Sequence, residues 1–217
     1  MLQTAEEQFN LGFAYLNGDG VPTNAMEAAK WFFKAAVQGH TQAQYNLGVM
    51  FDNGIGVAQD EVASAKWYRE AAEQGHPDAQ YNLGVAYREG FGVPKNEVEA
   101  VKWFRMAAKQ GEPQAQANLG CMYLLGCGVP MDDARAVKWF RRAAEQGDLS
   151  GQVNLGTVYE TGRGVETDDV QAYVWYLLAA AQGSEYARNE GARIEKKLSR
   201  AERIEGQRQA REWRPKE

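Results

Sequence analysis

The tripeptide Asn-Leu-Gly begins at Asn10 and returns at Asn46, Asn82, Asn118 and Asn154, each time after 36 residues and without insertion. Trp31, Trp67, Trp103, Trp139 and Trp175 keep the same period. So do paired glycines, from Gly18 and Gly20 through to Gly162 and Gly164, and Gly39, Gly75, Gly111, Gly147 and Gly183 close each unit. A fixed period of this length marks a stacked architecture, because one short unit cannot hide its apolar face alone and its neighbours must cover it. The 217 residues hold just over six such lengths. One elongated array therefore competes with the one or two domains that length alone allows.

Each unit reads as a hairpin of two helices, A and B. Ala43, Leu47 and Phe51 follow the i, i+4, i+8 spacing of a buried helical stripe. Gly-x-Gly-Val then breaks helix A, and Asn24, Asp60, Asn96, Asp132 and Asp168 stand where an N-cap would open helix B. Helix B carries Ala28, Phe32, Ala35 and their equivalents on one face and ends at Gln-Gly, with the glycine placed for a left-handed cap. Pro77 and Pro113 fall in the first turn of the next helix A, where a missing N–H costs nothing. Thr4 with Glu7 predicts a capping box at the first helix.

The run AQYNLGVM, followed by DNGIGV and AKWYREAAEQGH, resembles the Sel-one-like repeat (SLR) family, a branch of the tetratricopeptide-repeat class. The resemblance covers five units, residues 4–183. It implies an all-α fold, an α/α solenoid or superhelix of five 36-residue helix-turn-helix repeats. In the sixth slot Ala187 continues the alanine column, but Gly191-Ala192 replaces Leu-Gly and no Gly-x-Gly follows. Residues 1–183 are thus expected to hold the repeats. Residues 184–217 are expected to add a capping helix over 185–198 and a last helix from Ser199, boxed by Glu202, to about Trp213, all in the same array.

The net charge of −5 is uneven: residues 1–183 carry −8 and residues 184–217 carry +3. An acidic body argues against nucleic acid, whose phosphates need clustered cations. The longest uncharged apolar run, residues 173–181, has nine residues against the roughly 20 a bilayer crossing needs. The N-terminus shows no signal peptide, and Cys121 and Cys127 fit free thiols of a reducing compartment. A cytoplasmic location is favoured, with a periplasmic or secreted one open if a signal has been removed. Cysteine-rich secreted SLR relatives staple their repeats through paired cysteines. Here the matching positions are alanines, Ala36 and Ala43, Ala72 and Ala79, Ala108 and Ala115.

The resemblance implies that ligands lie in a concave groove lined by the A helices, and the helical period selects the same surface. The candidate partner-binding residues are Phe9, Phe13, Leu16, Tyr45, Val49, Asp52, Tyr81, Val85, Arg88, Cys121, Leu124, Thr157 and Glu160. They vary between repeats while the frame does not, and toward the N-terminus they are largely apolar, which favours a protein or peptide partner. The alternative reading is packing of these side chains against adjacent A helices. The tryptophans are read as packing between repeats, and the Asn10 and Gln8 series as structural hydrogen bonds. His40 and His76, which share one repeat position after the Gln-Gly turn, are read as turn residues without a role. The histidines stand too far apart to share a metal, Gly-x-Gly lacks the context of a phosphate loop, and no nucleophile–base–orienter set emerges. The expectation is a monomeric, non-catalytic interaction scaffold without cofactor, metal or membrane span. The alternative, implied by some cysteine-rich SLR relatives, is binding or hydrolysis of cell-wall fragments or β-lactams.

Overall fold

The chain is described by a computed structural model covering residues 3–216, in which all regular structure is helical. The helices fall into two compact units, Met1–Ala107 and Ala108–Glu217. The first holds α1 (Ala5–Asn17), α2 (Ala25–Val37), α3 (Thr41–Asn53), α4 (Glu61–Glu73), α5 (Pro77–Glu89) and most of α6 (Glu97–Lys109). The second holds α7 (Pro113–Leu125), α8 (Asp133–Glu145), α9 (Leu149–Thr161), α10 (Asp169–Ala181), α11 (Glu185–Glu195) and α12 (Arg200–Glu212). Odd-numbered helices from α1 to α9 are the A helices, and α2 to α10 the B helices.

The boundaries follow the predicted chemistry. Thr4 and Ser199 each accept the amide hydrogen three residues on, and Glu7 and Glu202 return the bond, which makes two capping boxes. Asn24, Asp60, Asn96, Asp132 and Asp168 cap the B helices through their side-chain oxygens. Helix α11 ends at Glu195, three residues short of expectation, and residues 196–198 turn so that Leu198 joins Ile194 in the core.

Each hairpin is closed by a ring lying on a glycine. A Cβ on Gly12, Gly48, Gly84, Gly120 or Gly156 would come within 2.5–2.8 Å of the ring of Phe32, Tyr68, Phe104, Phe140 or Tyr176. The Asn-Leu-Gly glycine is therefore the point of closest approach between helices A and B. The leucine beside it is buried in four of the five copies: Leu47 is 1% exposed, and Leu83, Leu119 and Leu155 are 0% exposed. Leu11, in the first of the described hairpins, is half-buried. Burial of each such side chain contributes about 1.5–3 kcal/mol relative to exposure.

The second loop glycine serves the contact between hairpins. A Cβ on Gly56 would stand 2.2 Å from the Ala25 carbonyl oxygen, and one on Gly92 1.9 Å from that of Glu61. Each loop thus presses on the start of the B helix one repeat earlier, a role beyond the tight return expected of Gly-x-Gly.

Helices A and B of one hairpin are also tied by amides. Gln38 donates to Gln8 (2.7 Å) and Gln74 to Gln44 (2.6 Å) in the first unit; Gln146 donates to Gln116 and Gln182 to Gln152 (both 2.9 Å) in the second. Gln44 also donates to the Ala36 carbonyl (3.1 Å) at the end of the preceding B helix, which ties successive hairpins. The Gln8 series makes structural bonds, as read, and the Gln38 series supplies their donors. The Asn series is mixed: Asn118 donates to the Gln114 carbonyl and Asn46 accepts from Gln42, both four residues away, whereas Asn154 reaches Cys121 of the preceding hairpin. Trp67, Trp103 and Trp175 are buried, consistent with packing, whereas Trp31 and Trp139 are half-covered by Lys34 (3.6 Å) and Arg142 (4.7 Å).

Candidate functional site

In the first unit the A helices present one aromatic position three times. Phe9, Tyr45 and Tyr81 are half-buried and lean on Phe32, Tyr68 and Phe104 of their own hairpins, at 5.6, 6.1 and 5.9 Å between centroids. Phe9 and Tyr45 carry a second ring on their other face, since His40 stacks on Phe9 at 4.5 Å and His76 on Tyr45 at 4.4 Å. These aromatics thus pack on the B helix of their own hairpin, and Phe9 and Tyr45 also on the histidine that precedes the next A helix.

The histidines correct the sequence reading. Each is the N-cap of the next A helix: Nδ1 of His40 accepts the Ala43 amide (3.1 Å), and Nδ1 of His76 accepts that of Ala79 (3.3 Å). Nε2 of His40 meets Glu6 and that of His76 meets Gln42, each at 3.1 Å. Burial depresses the His76 pKa, with a smaller opposing effect from Asp78. The signal was in the column: Asp148 and Ser184 occupy the same place and cap by the same bond, and Glu112 there accepts the Gln114 amide instead.

Phe13 (42% exposed) and Leu16 (36%) are the most open apolar members of the wall. Val49 is half-buried and packs with Tyr45 against the core that includes Tyr68, Leu83 and Trp103. Arg88 pairs with Glu89 (2.6 Å) and lies over the Phe104 ring. Asp52 and Val85 meet at a recess of about 60 Å³, which Glu61, Tyr68, Asn82 and Phe91 also line. Burial, reinforced by Asp52, raises the Tyr68 pKa and keeps its hydroxyl neutral.

In the second unit the four remaining candidates are more occupied. Thr157 bonds the Val153 carbonyl (3.0 Å) and the Tyr176 hydroxyl (3.2 Å). Glu160 accepts from Tyr176 (3.1 Å) and is paired with Arg193 of α11. Cys121 accepts from Asn154 (3.6 Å), and Leu124 is half-buried. Neither Cys121 nor Cys127 is in a disulfide.

Sequence reasoning missed a groove on the opposite, B-helix side. In the first unit Met26, Ala29, Phe33, Phe51 and Val57 line an apolar hollow of about 600 Å³ beside Lys30 and Lys34. In the second unit the equivalent hollow, about 420 Å³, is lined by Ala134, Val137, Arg141, Arg142 and Glu145. The C-terminal segment packs on this side: Trp213 meets Trp175 at 6.4 Å, Lys216 pairs with Glu145 (3.0 Å), and Gly206 of α12 lies against Tyr173 of α10. Among the described residues no acidic, histidine or cysteine cluster could hold a metal, and no helix is long and apolar enough to cross a membrane.

The profile of the Sel1 repeat family matches residues 8–40, 41–76, 77–112, 113–148 and 149–184. No curated protein matches. Among solved structures, the chain is similar to a Sel1 repeat protein from Oxalobacter formigenes, at 38% identity and TM-score 0.82, over 88% of this chain and 76% of that one. It is also similar to c5321, a protective antigen of uropathogenic Escherichia coli strains displaying an SLR fold, at 39% identity and TM-score 0.85. That match covers 96% of this chain but only 46% of the antigen, so the chain spans less than half of that relative. The immunity protein Pa5087 from Pseudomonas aeruginosa, at 24% identity and TM-score 0.51 over 84% of this chain and 67% of that one, shares the fold. The β-lactam or cell-wall alternative finds no support in these comparisons. With five matched repeats in an all-helical α/α-solenoid frame, the chain belongs to the Sel1 repeat family.

Proposed function

We propose that this chain is a non-catalytic, monomeric adaptor that holds a protein or peptide partner against its A-helix surface, centred on Phe13, Leu16, Tyr45, Asp52, Tyr81, Val85 and Arg88. Sel1 repeat proteins are generally modules of protein–protein interaction. The observation that carries the reading is the exposure of Phe13 and Leu16 next to a ladder of rings that holds the wall rigid. Rigid apolar anchors lose little conformational freedom on binding, and such exposed patches mark partner sites. Cys121, Leu124, Thr157 and Glu160 contribute a second, more polar surface.

The test is capture of partners from native extract by the full chain and by Phe13→Ser with Leu16→Ser. Both side chains are exposed, so stability should change by about 0.5 kcal/mol or less. Capture should fall at least tenfold; undiminished capture by a folded double variant removes the A-helix surface from consideration. Tyr45 is a poorer probe, because its stacking on His76 makes truncation a stability change as well.

A further inference from the structure

The recess at Asp52 carries more information than its size suggests. It lies at the loop edge of the A-helix wall, among α3, α4 and α5, and combines two carboxylates (Asp52 and Glu61), the Tyr68 hydroxyl, the Asn82 amide and the apolar Val85 and Phe91. Its volume of about 60 Å³ is several times the roughly 10–15 Å³ one water needs, enough for a planar head group. Among the described residues neither carboxylate is ion-paired. Arg88, the cation on the adjoining helix, is engaged with Glu89.

The repeat supplies an internal comparison. Glu160 lies three repeats after Asp52 and pairs with Arg193, which α11 presents at the position Val85 holds on α5. Tyr176, the equivalent of Tyr68, donates to that carboxylate at 3.1 Å. Asp133 lies two repeats after Glu61 and grips Arg163 at 2.7 and 3.2 Å, a two-pronged contact that also reaches the Leu124 carbonyl at 3.0 Å. Arg163 occupies the loop position that Phe91 holds in the first unit. Both carboxylate positions of the recess therefore take a guanidinium elsewhere in the same chain, and at the recess Val85 and Phe91 stand where those arginines would be.

We infer that this recess seats an arginine side chain of the partner, with its guanidinium between Asp52 and Glu61 and its methylene stem on Val85 and Phe91. A guanidinium fits better than an ammonium, because its planar fork matches carboxylates and its face packs on an aromatic ring. The inference rests on the proposed partner-binding role of the wall and adds the chemistry of one anchor.

The test is an NMR titration of the full chain with N-acetyl-arginine amide, N-acetyl-lysine amide and N-acetyl-norleucine amide. Exposed charge pairs are weak singly, so a method that reads low affinity is required. Arginine should give saturable shifts at Glu61, Asn82 and Phe91, lysine weaker ones and norleucine none. Asp52→Asn with Glu61→Gln should weaken arginine binding at least tenfold. Val85→Arg, which supplies the guanidinium from within as α11 does, should abolish it and raise the unfolding temperature. A leucine-flanked arginine peptide should bind at least tenfold more tightly than the amide; equal affinity would point to a small-molecule site and overturn the partner-borne assignment. Shifts scattered over the acidic surface, equal response to lysine, or full binding by both variants would also overturn it. Partner capture lost in Phe13→Ser/Leu16→Ser but intact in Asp52→Asn/Glu61→Gln discards the arginine seat and leaves the wall. Arginine binding that persists while capture ignores the Phe13 and Leu16 changes discards the wall instead.

Discussion

The imidazole of His76 stacks on the phenol ring of Tyr45 at 4.4 Å while its Nδ1 closes the first turn of α5 by accepting the Ala79 amide. One side chain thus joins the candidate binding wall to the start of the next repeat, and it does so only as a neutral ring, since a protonated Nδ1 cannot accept.

The pH dependence follows. The folded-state pKa of His76 lies below its ordinary value near 6.5, so the unfolded chain takes up the proton first. The contribution of His76 is complete above about pH 6.5 and is lost as pH falls through that value toward the depressed one. His76→Asn keeps a capping oxygen without the titration. Thermal melts between pH 7.5 and 5.5 should therefore fall less steeply for this variant than for the parent chain. Parallel curves would exclude the cap as a titrating element.

Gly84→Ala should destabilise by about 1–3 kcal/mol, because the added methyl meets the Phe104 ring at 2.7 Å and overpacking outweighs the better helix propensity of alanine. Gly191→Ala should stabilise by about 0.5–1 kcal/mol, since there the methyl meets only the Tyr176 Cβ at 3.5 Å. Urea melts of the two variants should move in opposite directions.

Gly20 and Gly56 share a left-handed backbone, with φ of 75° and 69°, but only Gly56 faces another hairpin. Gly20→Ala should cost about 1–2 kcal/mol from backbone conformation alone. Gly56→Ala should cost distinctly more, because its methyl would enter the space of the Ala25 carbonyl. Equal losses in denaturant melts would show that the loop does not bear on the preceding repeat.

Leu83→Ala should cost about 2–5 kcal/mol. Leu11→Ala should cost less, because Leu11 is half-buried whereas Leu83 shares a core cluster with Tyr68 and Ala72 of the hairpin before it. Equal losses would argue against stability carried by neighbours.

The fold was legible because its determinants repeat. Period, caps and buried stripes each recur five times, so a weak signal at Asp60 or Leu47 is reinforced by every equivalent position. What escaped were contacts in which a residue departs from its column. A histidine cap is read only when His76 is aligned with Asp148 and Ser184 and the shared requirement, an acceptor facing an amide, is recognised. The recess is invisible until Arg163 and Arg193 show what Phe91 and Val85 replace. The large apolar hollow on the B-helix side was missed because Met26 and Phe33 lie off the i, i+4 stripe that defines the core. Conversely, Thr157 and Glu160 were legible as wall positions, but their internal partners Tyr176 and Arg193 come from other helices, which spacing along one helix cannot reveal.

The paired glutamines join residues 30 positions apart, Gln8 to Gln38 and Gln116 to Gln146 alike. A bond of fixed reach between helix A and the end of helix B makes the whole hairpin the smallest piece that can be added or removed cleanly. Losing a few residues inside one would part a donor from its acceptor, whereas excising all 36 would remove both together. Proteins built on this plan can change length only in whole steps, as a ladder gains or loses rungs.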